Sequence, residues 1–467
     1  MATEVGSTRA EKQHRSKQER RRRPGILVII QNLPLVLDRR VRMECSALLA
    51  AGYHVSVICP RGDGEDKQFD LDGVRVYTYR PPPAASGLLS YVLEFVYCWL
   101  RTALLSLRVL RREGFSVIQA CNPPDTYWLL GLLYKVVGKK FVYDQHDICP
   151  EVYEAKFGRQ GLIYRLVVLL ERATHLVADH VISTNDSYRE IAMGRGRRRS
   201  GDVTVVMSAP DPWQMRPTDP DISLKAGKTY LCCYLGIMGS QDGVDHLLHA
   251  IDYYVHVLGR DDCHFALLGY GDSLAELRVL SSDLGIDPWV TFTGRVKPDE
   301  ITHWLSSADL GLTPDPMCAF NDRSTMNKTL EYMAHGLPVV AFDLTETRRS
   351  AGAAGLFVTE DSDKAFGDAI ADLLDDPDRR ATMGRFGRQR IETVLSWQRQ
   401  SPGYVAVFDQ LLGRRLRRPL ERPPAELGIL IDLRPSLDRN AALDQRPSID
   451  LPAQRGDSPV RLAGDRG

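Results

Sequence analysis

The sequence predicts an α/β protein of two doubly wound domains facing each other across a cleft, with disordered N- and C-terminal tails. Three observations predict it. A chain of 467 residues is too long for one ordinary core and fits two domains of about 150 to 200 residues plus tails. Short β-branched runs alternate with longer helical patterns, the signature of a parallel sheet with helical crossovers. The alternation breaks once, at the Pro/Asp-rich stretch SAPDPWQMRPTDPD, and then restarts.

Taken in order, residues 1–23 are polar and arginine-rich, with no apolar stretch followed by a small-residue cleavage site. They predict a disordered basic tail on a cytoplasmic protein. The first domain, 24–212, carries the strand-like runs GILVII, HVSVIC, VRVYTY, SVIQA, FVYDQ, HVIST and VTVVMS. Residues 213–228 read as a linker. The second domain, 229–395, carries TYLCCYLG, CHFALLG, WVTFTG, DLGLTP, LPVVAFD and GLFVTE. Residues 396–413 form a helix apolar enough to pack, and 414–467, rich in Arg, Pro and Asp, predict disorder.

Sixty basic and sixty acidic residues leave no net field to recruit nucleic acid. The nine cysteines lack CxxC spacing, and Cys59, Cys121, Cys232, Cys233 and Cys263 fall in apolar runs. They read as small buried hydrophobes in a reducing compartment. The segment Leu88 to Arg112 is apolar around most of its circumference, with Glu94, Arg101 and Arg108 forming one polar stripe. Those charges argue against a membrane-spanning helix, which needs about 20 apolar residues. Two readings stay open: a core helix covering the sheet, or a helix in the membrane interface anchored by Tyr91, Tyr97 and Trp99, with Arg111 and Arg112 at anionic headgroups.

After GILVII comes QNLPLVLDRRVRME, which holds no glycine, so the GxGxxG turn of a dinucleotide enzyme is missing. There is no GxxxxGK[ST] phosphate loop either. The most informative stretch is LTPDPMCAFNDRSTMNKTLEYMAHGLPVVAFD, where strand, loop, helix and strand succeed one another. Ser324 or Thr325 is the expected N-cap, and the helix N-terminus suits a diphosphate. Lys328 and Glu331, three residues apart, project from one helix face. A lysine can neutralise phosphate and a carboxylate can accept a ribose diol, although such a pair also occurs as an ordinary surface ion pair.

The run NKTLEYMAHGLPVVAFD closely resembles the nucleotide-binding segment of GT-B glycosyltransferases, in particular glycosyltransferase family 4, and the resemblance extends over roughly Gly25 to Leu412. It implies two Rossmann-like domains, with the 396–413 helix packed back on the first. It also implies that Glu331 meets the donor ribose and Lys328 the phosphates, with Ser324, Thr325, Met326 and Asn327 around them. YLGIMGSQDGVDHLLHAI, with Gly236, resembles the opening of the family's second domain. GYGD, with Gly269 and Gly271, follows the next strand, and Arg295 and Val296 would meet the base. FVYDQHDICPE resembles the segment that brings a histidine, here His146, to the donor sugar; Arg39 and Arg40, in the loop after the first strand, would approach the diphosphate or acceptor or else form a solvated basic turn.

Two departures stand out. The first glutamate of the family motif is replaced by Arg323, so Asp322 is a candidate for the sugar contact and Arg323 for a substitute phosphate cation. The usual arginine and lysine of the glycine-bounded turn read Ile237 and Asp242. The resemblance implies retaining transfer from a nucleoside-diphosphate sugar, with uridine the favoured base, to a saccharide or polyprenyl-linked acceptor at the cytoplasmic face of the inner membrane. No cofactor and no metal are expected, because none of the apolar strand-like runs of the first domain ends in a DxD. The alternatives are a sugar-nucleotide 2-epimerase of the same fold and a catalytically inactive nucleotide-binding partner of another transferase.

Overall fold

The β-branched runs become strands. The computed structural model describes residues 24–82, 88–158 and 160–414; the expectations for tails 1–23 and 415–467 and for the Tyr91 side chain lie outside the described residues. The first sheet holds β1 (Gly25–Ile29), β2 (His54–Pro60), β3 (Gln68–Leu71), β4 (Val74–Tyr79), β5 (Val117–Cys121), β6 (Lys140–Gln145), β7 (His180–Ser183) and β8 (Val203–Val205), in the order β3-β4-β2-β1-β5-β6-β7-β8. The second holds β9 (Tyr230–Ile237), β10 (Cys263–Tyr270), β11 (Val290–Gly294), β12 (Leu310–Thr313), β13 (Val339–Phe342) and β14 (Gly355–Val358), in the order β11-β10-β9-β12-β13-β14.

Every pairing is parallel except β3 with β4. The β3 strand is an addition to the sequence reading. Its residues QFDL show no apolar run; what makes it a strand is the Asp72–Gly73 turn, with φ of 51° and 88°, which folds it onto β4. Parallel strands need both faces covered, and their burial follows: β1, β2 and β5 are buried at every position.

In each sheet the strand order reverses beside the first strand: β1 lies between β2 and β5, and β9 between β10 and β12. Such switch points leave a crevice at the carboxyl edge where helices diverge. The helix Trp397–Leu411 returns to the first domain, where Trp397, Tyr404, Val407 and Phe408 pack with Val41, Leu48 and Tyr53. Tyr53 also donates to Asp409 Oδ1 at 2.5 Å. Among the described residues no helix is long and apolar enough to cross a membrane.

Candidate functional site

Where the carboxyl edges of the two sheets face each other lies a cavity of about 500 Å³. The first domain lines it with His146 and Asp147 after β6, Thr184 after β7, Tyr188, and Ser208 after β8. The second contributes Gly236 and Ile237 at the end of β9, Gln241 and Asp242 in the next turn, and Asp315 after β12. Phe320, Asn321, Ser324 and Thr325 follow, then Met326, Asn327, Lys328 and Glu331 at the start of the helix Asn327–Ala334.

Contrary to expectation, neither Ser324 nor Thr325 caps that helix: the N-cap is Met326, which offers no side-chain acceptor. The reason is a short helix, Ala319–Arg323, inserted just before it. Ser324 closes this helix, donating to the Phe320 carbonyl at 2.8 Å and meeting the Tyr188 hydroxyl at 3.1 Å. The first amides of Asn327–Ala334 therefore lack a side-chain cap at the cavity wall, the arrangement that binds anions.

Lys328 is buried and reaches both carboxylate oxygens of Asp315 at 2.9 Å, with its ammonium 4.8 Å from the Tyr234 ring centre. Glu331 accepts from Arg39 of the first domain at 2.8 Å, so Arg39 faces the very carboxylate assigned to the ribose. Gly236 has no room for a side chain: a Cβ there would lie 2.9 Å from the Tyr234 hydroxyl and 3.3 Å from Lys328 Cε. Burial pushes the Asp242 carboxyl up to about 6 and raises that of Asp147.

His146 stands on a buried polar network. Its Nε2 lies 2.9 Å from Asp144 Oδ2, and its backbone amide donates to Asn122 Oδ1 at 2.6 Å. Gln119 Nε2 donates to Glu44 Oε2 at 2.8 Å and Asp144 Oδ2 at 2.7 Å; Tyr404, from the C-terminal helix, donates to Gln119 Oε1 at 2.6 Å. Arg40 sits among these groups, 2.9 Å from Glu44 Oε1 and 3.1 Å from Asp144 Oδ1. It therefore holds the network beneath His146. Burial works against the imidazolium, but the charge and hydrogen bond of Asp144 prevail and the His146 pKa is raised. Asp144 shows the converse: burial disfavours its charge, yet His146 and Arg40 hold its carboxyl well below the usual range. Burial, then Asp144, push Glu44 up to about 8.

The donor atoms of Glu44, Cys121, Asp144 and His146 lie within 4.8 Å of one another, close enough to ligate a cation. The Arg40 guanidinium already lies among them, and burial drives the Cys121 thiol away from thiolate. A cation would have to displace a buried arginine from two carboxylates.

Besides Arg39 and Arg40, six sequence candidates do not line the cavity. On the short helix Ala319–Arg323, Phe320, Asn321 and the following Ser324 face inward at helical spacing, which turns Asp322 and Arg323 away. Asp322 instead accepts from the Thr345 amide at 2.8 Å, and Arg323 pairs with Glu151 of the first domain at 2.9 Å. Gly269 and Gly271 are small because a Cβ would run into the carbonyls of Gly236 and Met238. Arg295 stacks 4.7 Å over Tyr270, and Val296 packs into the second-domain core. Conversely, the sequence reading did not single out Asp315; its one signal was a carboxylate two residues past the strand LGLT.

Polar contacts cross between the domains around the cavity. Asn185 Nδ2 donates to the Arg323 carbonyl at 2.9 Å and Thr325 Oγ1 at 3.1 Å, and Ser187 Oγ donates to Glu346 at 2.6 Å.

Two parallel α/β domains, each with a switch point opening on a shared cavity, define the GT-B class of fold. Two family models match: "Glycosyl transferase 4-like domain" over residues 37–216 and "Glycosyl transferases group 1" over 229–376. The chain thus belongs to the GT-B glycosyltransferases of the family 4 type. It is 28% identical over 185 residues to the GDP-mannose-dependent monoacylated alpha-(1-6)-phosphatidylinositol monomannoside mannosyltransferase of Corynebacterium glutamicum. It is 34% identical over 142 residues to the GDP-mannose-dependent alpha-(1-6)-phosphatidylinositol monomannoside mannosyltransferase of Mycobacterium tuberculosis. These matches span 39% and 29% of this chain, and only 44% and 37% of those relatives' lengths. In structure it is similar to sucrose-phosphate synthase from Thermosynechococcus elongatus, with a TM-score of 0.65 and 18% identity over 84% of this chain and 100% of the other. A glycosyltransferase from Rickettsia africae gives a TM-score of 0.63 and 12% identity over 84% and 99%.

Proposed function

We propose that this chain is a retaining glycosyltransferase moving a sugar from a nucleoside-diphosphate sugar to a saccharide or polyprenyl-linked acceptor. It works at the cytoplasmic face of the cell membrane, as a peripheral protein, in the assembly of envelope polysaccharide. The observation that carries the reading is the cavity in which Lys328, Glu331 and the N-terminus of Asn327–Ala334 face His146 across the domain boundary. In this reading the helix terminus and Lys328 take up the charge of the departing diphosphate, the step at which such electrostatic contacts matter most. Glu331 exchanges Arg39 for the ribose diol, and His146, supported by Asp144, borders the donor sugar. The acceptor hydroxyl attacks from the face the diphosphate leaves, with water excluded by the apposed domains. Lysine and helix terminus serve in place of a metal, so transfer persists in a chelator.

The sequence resemblance favours uridine as the base, while the GDP-mannose in the names of the mannosyltransferase relatives favours guanosine. Thermal unfolding in a chelating buffer with uridine, guanosine and adenosine diphosphates and NAD tests both. A ligand at a hundred times its Kd stabilises by about 2.7 kcal/mol. One diphosphate should stabilise the wild type and not Glu331→Ala. If none does, the donor reading fails; if the response needs added divalent metal, metal-free transfer fails.

A further inference from the structure

Three neighbouring helices on one face of the first sheet turn leucines outward, and two of them are built inside out. Leu88–Arg112, Trp128–Lys135 and Leu162–Val177 are the crossovers into β5, β6 and β7, which lie side by side. The first meets the sheet through Cys98, Thr102, Ser106 and Val109, all buried. Its two hydroxyls bond those of Tyr127 and Tyr134 at 3.3 and 2.9 Å. The opposite side carries Leu93, Val96, Leu100, Leu104 and Leu107 at three- and four-residue spacing, all exposed. The third helix repeats the inversion: Glu171, Thr174 and His175 are buried, whereas Leu162, Leu166, Leu169 and Leu176 are exposed. Between the two, Leu129, Leu132 and Leu133 of the middle helix point outward, followed by Val136 and Val137. A soluble helix turns its apolar stripe toward the core; these turn it away, and adjacent stripes make a patch rather than scattered side chains.

Charge identifies what covers the patch. The exposed charged residues on the three helices are Arg101, Arg108, Arg111, Arg112, Arg165 and Arg172. Their only carboxylates are Glu94, half-buried, and Glu171, buried and ion-paired with Arg195 at 2.5 Å. A second copy docking by the same face would set arginine against arginine. A bilayer rich in anionic headgroups satisfies both the leucines and the arginines. We propose that these three helices together form a docking face that lies in the headgroup–acyl boundary of an anionic membrane. The inference rests on the proposed transfer only in giving the acceptor a surface to come from; docking itself needs no turnover.

The structure also revises the anchors expected from sequence. Trp99 packs against the first-domain core, and the Tyr97 hydroxyl donates to the Arg80 carbonyl at 3.0 Å, so neither leads the contact. The leucine stripes do.

The test is flotation of the full chain with vesicles of phosphatidylcholine alone or mixed with phosphatidylglycerol. Wild type should float with the mixed vesicles and about tenfold less with the neutral ones. The doubles Leu100→Gln/Leu104→Gln and Leu166→Gln/Leu169→Gln should each lose about tenfold or more, with nucleotide-induced thermal stabilisation unchanged as the check on folding. Two results overturn the proposal: Leu166→Gln/Leu169→Gln floating like wild type, or a dimer in vesicle-free sedimentation that these doubles dissociate. Loss of flotation with intact nucleotide response leaves the donor reading standing; intact flotation without any nucleotide response leaves the docking face standing.

Discussion

Lys328 holds two positions at once: counterion of a buried aspartate and cation of the proposed diphosphate site, and one pair of substitutions separates them. Its side chain is 9% exposed and that of Asp315 2%, with both carboxylate oxygens 2.9 Å from the ammonium. In Lys328→Met the apolar stem is kept and the charge is lost, leaving a buried carboxylate unpaired in a wall that already holds Asp242. Removing one partner of a buried pair costs about 3 to 5 kcal/mol. Against a total domain stability of about 5 to 15 kcal/mol this is large but survivable. Adding Asp315→Asn removes the stranded charge and should recover most of the loss. Turnover behaves differently. Losing a contact that strengthens in the transition state lowers the rate about a hundred- to a thousandfold, and restoring the fold does not restore it. Denaturant unfolding and initial rates of sugar release from the donor, on the single and double variants, read the two effects apart. If the double variant regains turnover along with stability, Lys328 is only the counterion of Asp315 and its donor role is refuted.

Two further outcomes follow from the titrating groups. Asp242 has its carboxyl raised to about 6 by burial, so the folded state binds a proton there that the unfolded chain has already lost, and stability falls as pH rises from about 4 to 6. Asp242→Asn should therefore be the more stable protein at pH 7, by about 1 to 2 kcal/mol given its partial exposure, with the gap closing by about pH 4 in denaturant titrations. Glu44, at about 8, is the neutral partner of ionised Asp144 at pH 7, and its ionisation withdraws stability as pH climbs from the ordinary glutamate range through 8. Glu44→Gln should match wild type near pH 4, be the more stable protein at pH 7, and lose the fall in stability between the ordinary glutamate range and about 8; an unchanged fall would sink this assignment.

The sheets were legible because a parallel strand covered on both faces is a short apolar run, and thirteen of the fourteen strands among the described residues announce themselves that way. The exception, β3, owes its existence to the Asp72–Gly73 turn and lies at an edge with no apolar face to show. The site was less legible, because motif positions count residues along the chain while a cavity selects faces. A family register expects Asp322 and Arg323 in the cavity, at the donor sugar and the phosphates respectively. The local helix Ala319–Arg323 instead gives that pocket Phe320, Asn321 and Ser324, and sends Arg323 to Glu151. Asp315 escaped for a related reason: it meets Lys328 only because β12 and Asn327–Ala334 end at the same edge, a consequence of topology rather than local pattern. The helix Leu88–Arg112 was read as either core-covering or interfacial; it covers the sheet with Cys98, Thr102, Ser106 and Val109 and keeps Leu93, Leu100, Leu104 and Leu107 outside.

The departures at Ile237 and Asp242 acquire a physical meaning from these contacts. The cavity wall carries Asp147, Asp242, Asp315 and Glu331 against Lys328 and His146, an acidic balance poorly suited to a diphosphate taken at face value. Yet Glu331 is paired with Arg39 and Asp315 with Lys328, while burial raises the carboxyls of Asp147 and Asp242 toward their neutral forms. Each ion pair at the wall has a counterpart in the proposed donor: ribose hydroxyls at the Glu331 carboxylate, phosphate oxygens at the Lys328 ammonium. A donor that supplies both would exchange two pairs together and free Arg39 from Glu331. On the proposed function, Arg39 of the opposite domain is the candidate to replace the cation missing from the glycine-bounded turn.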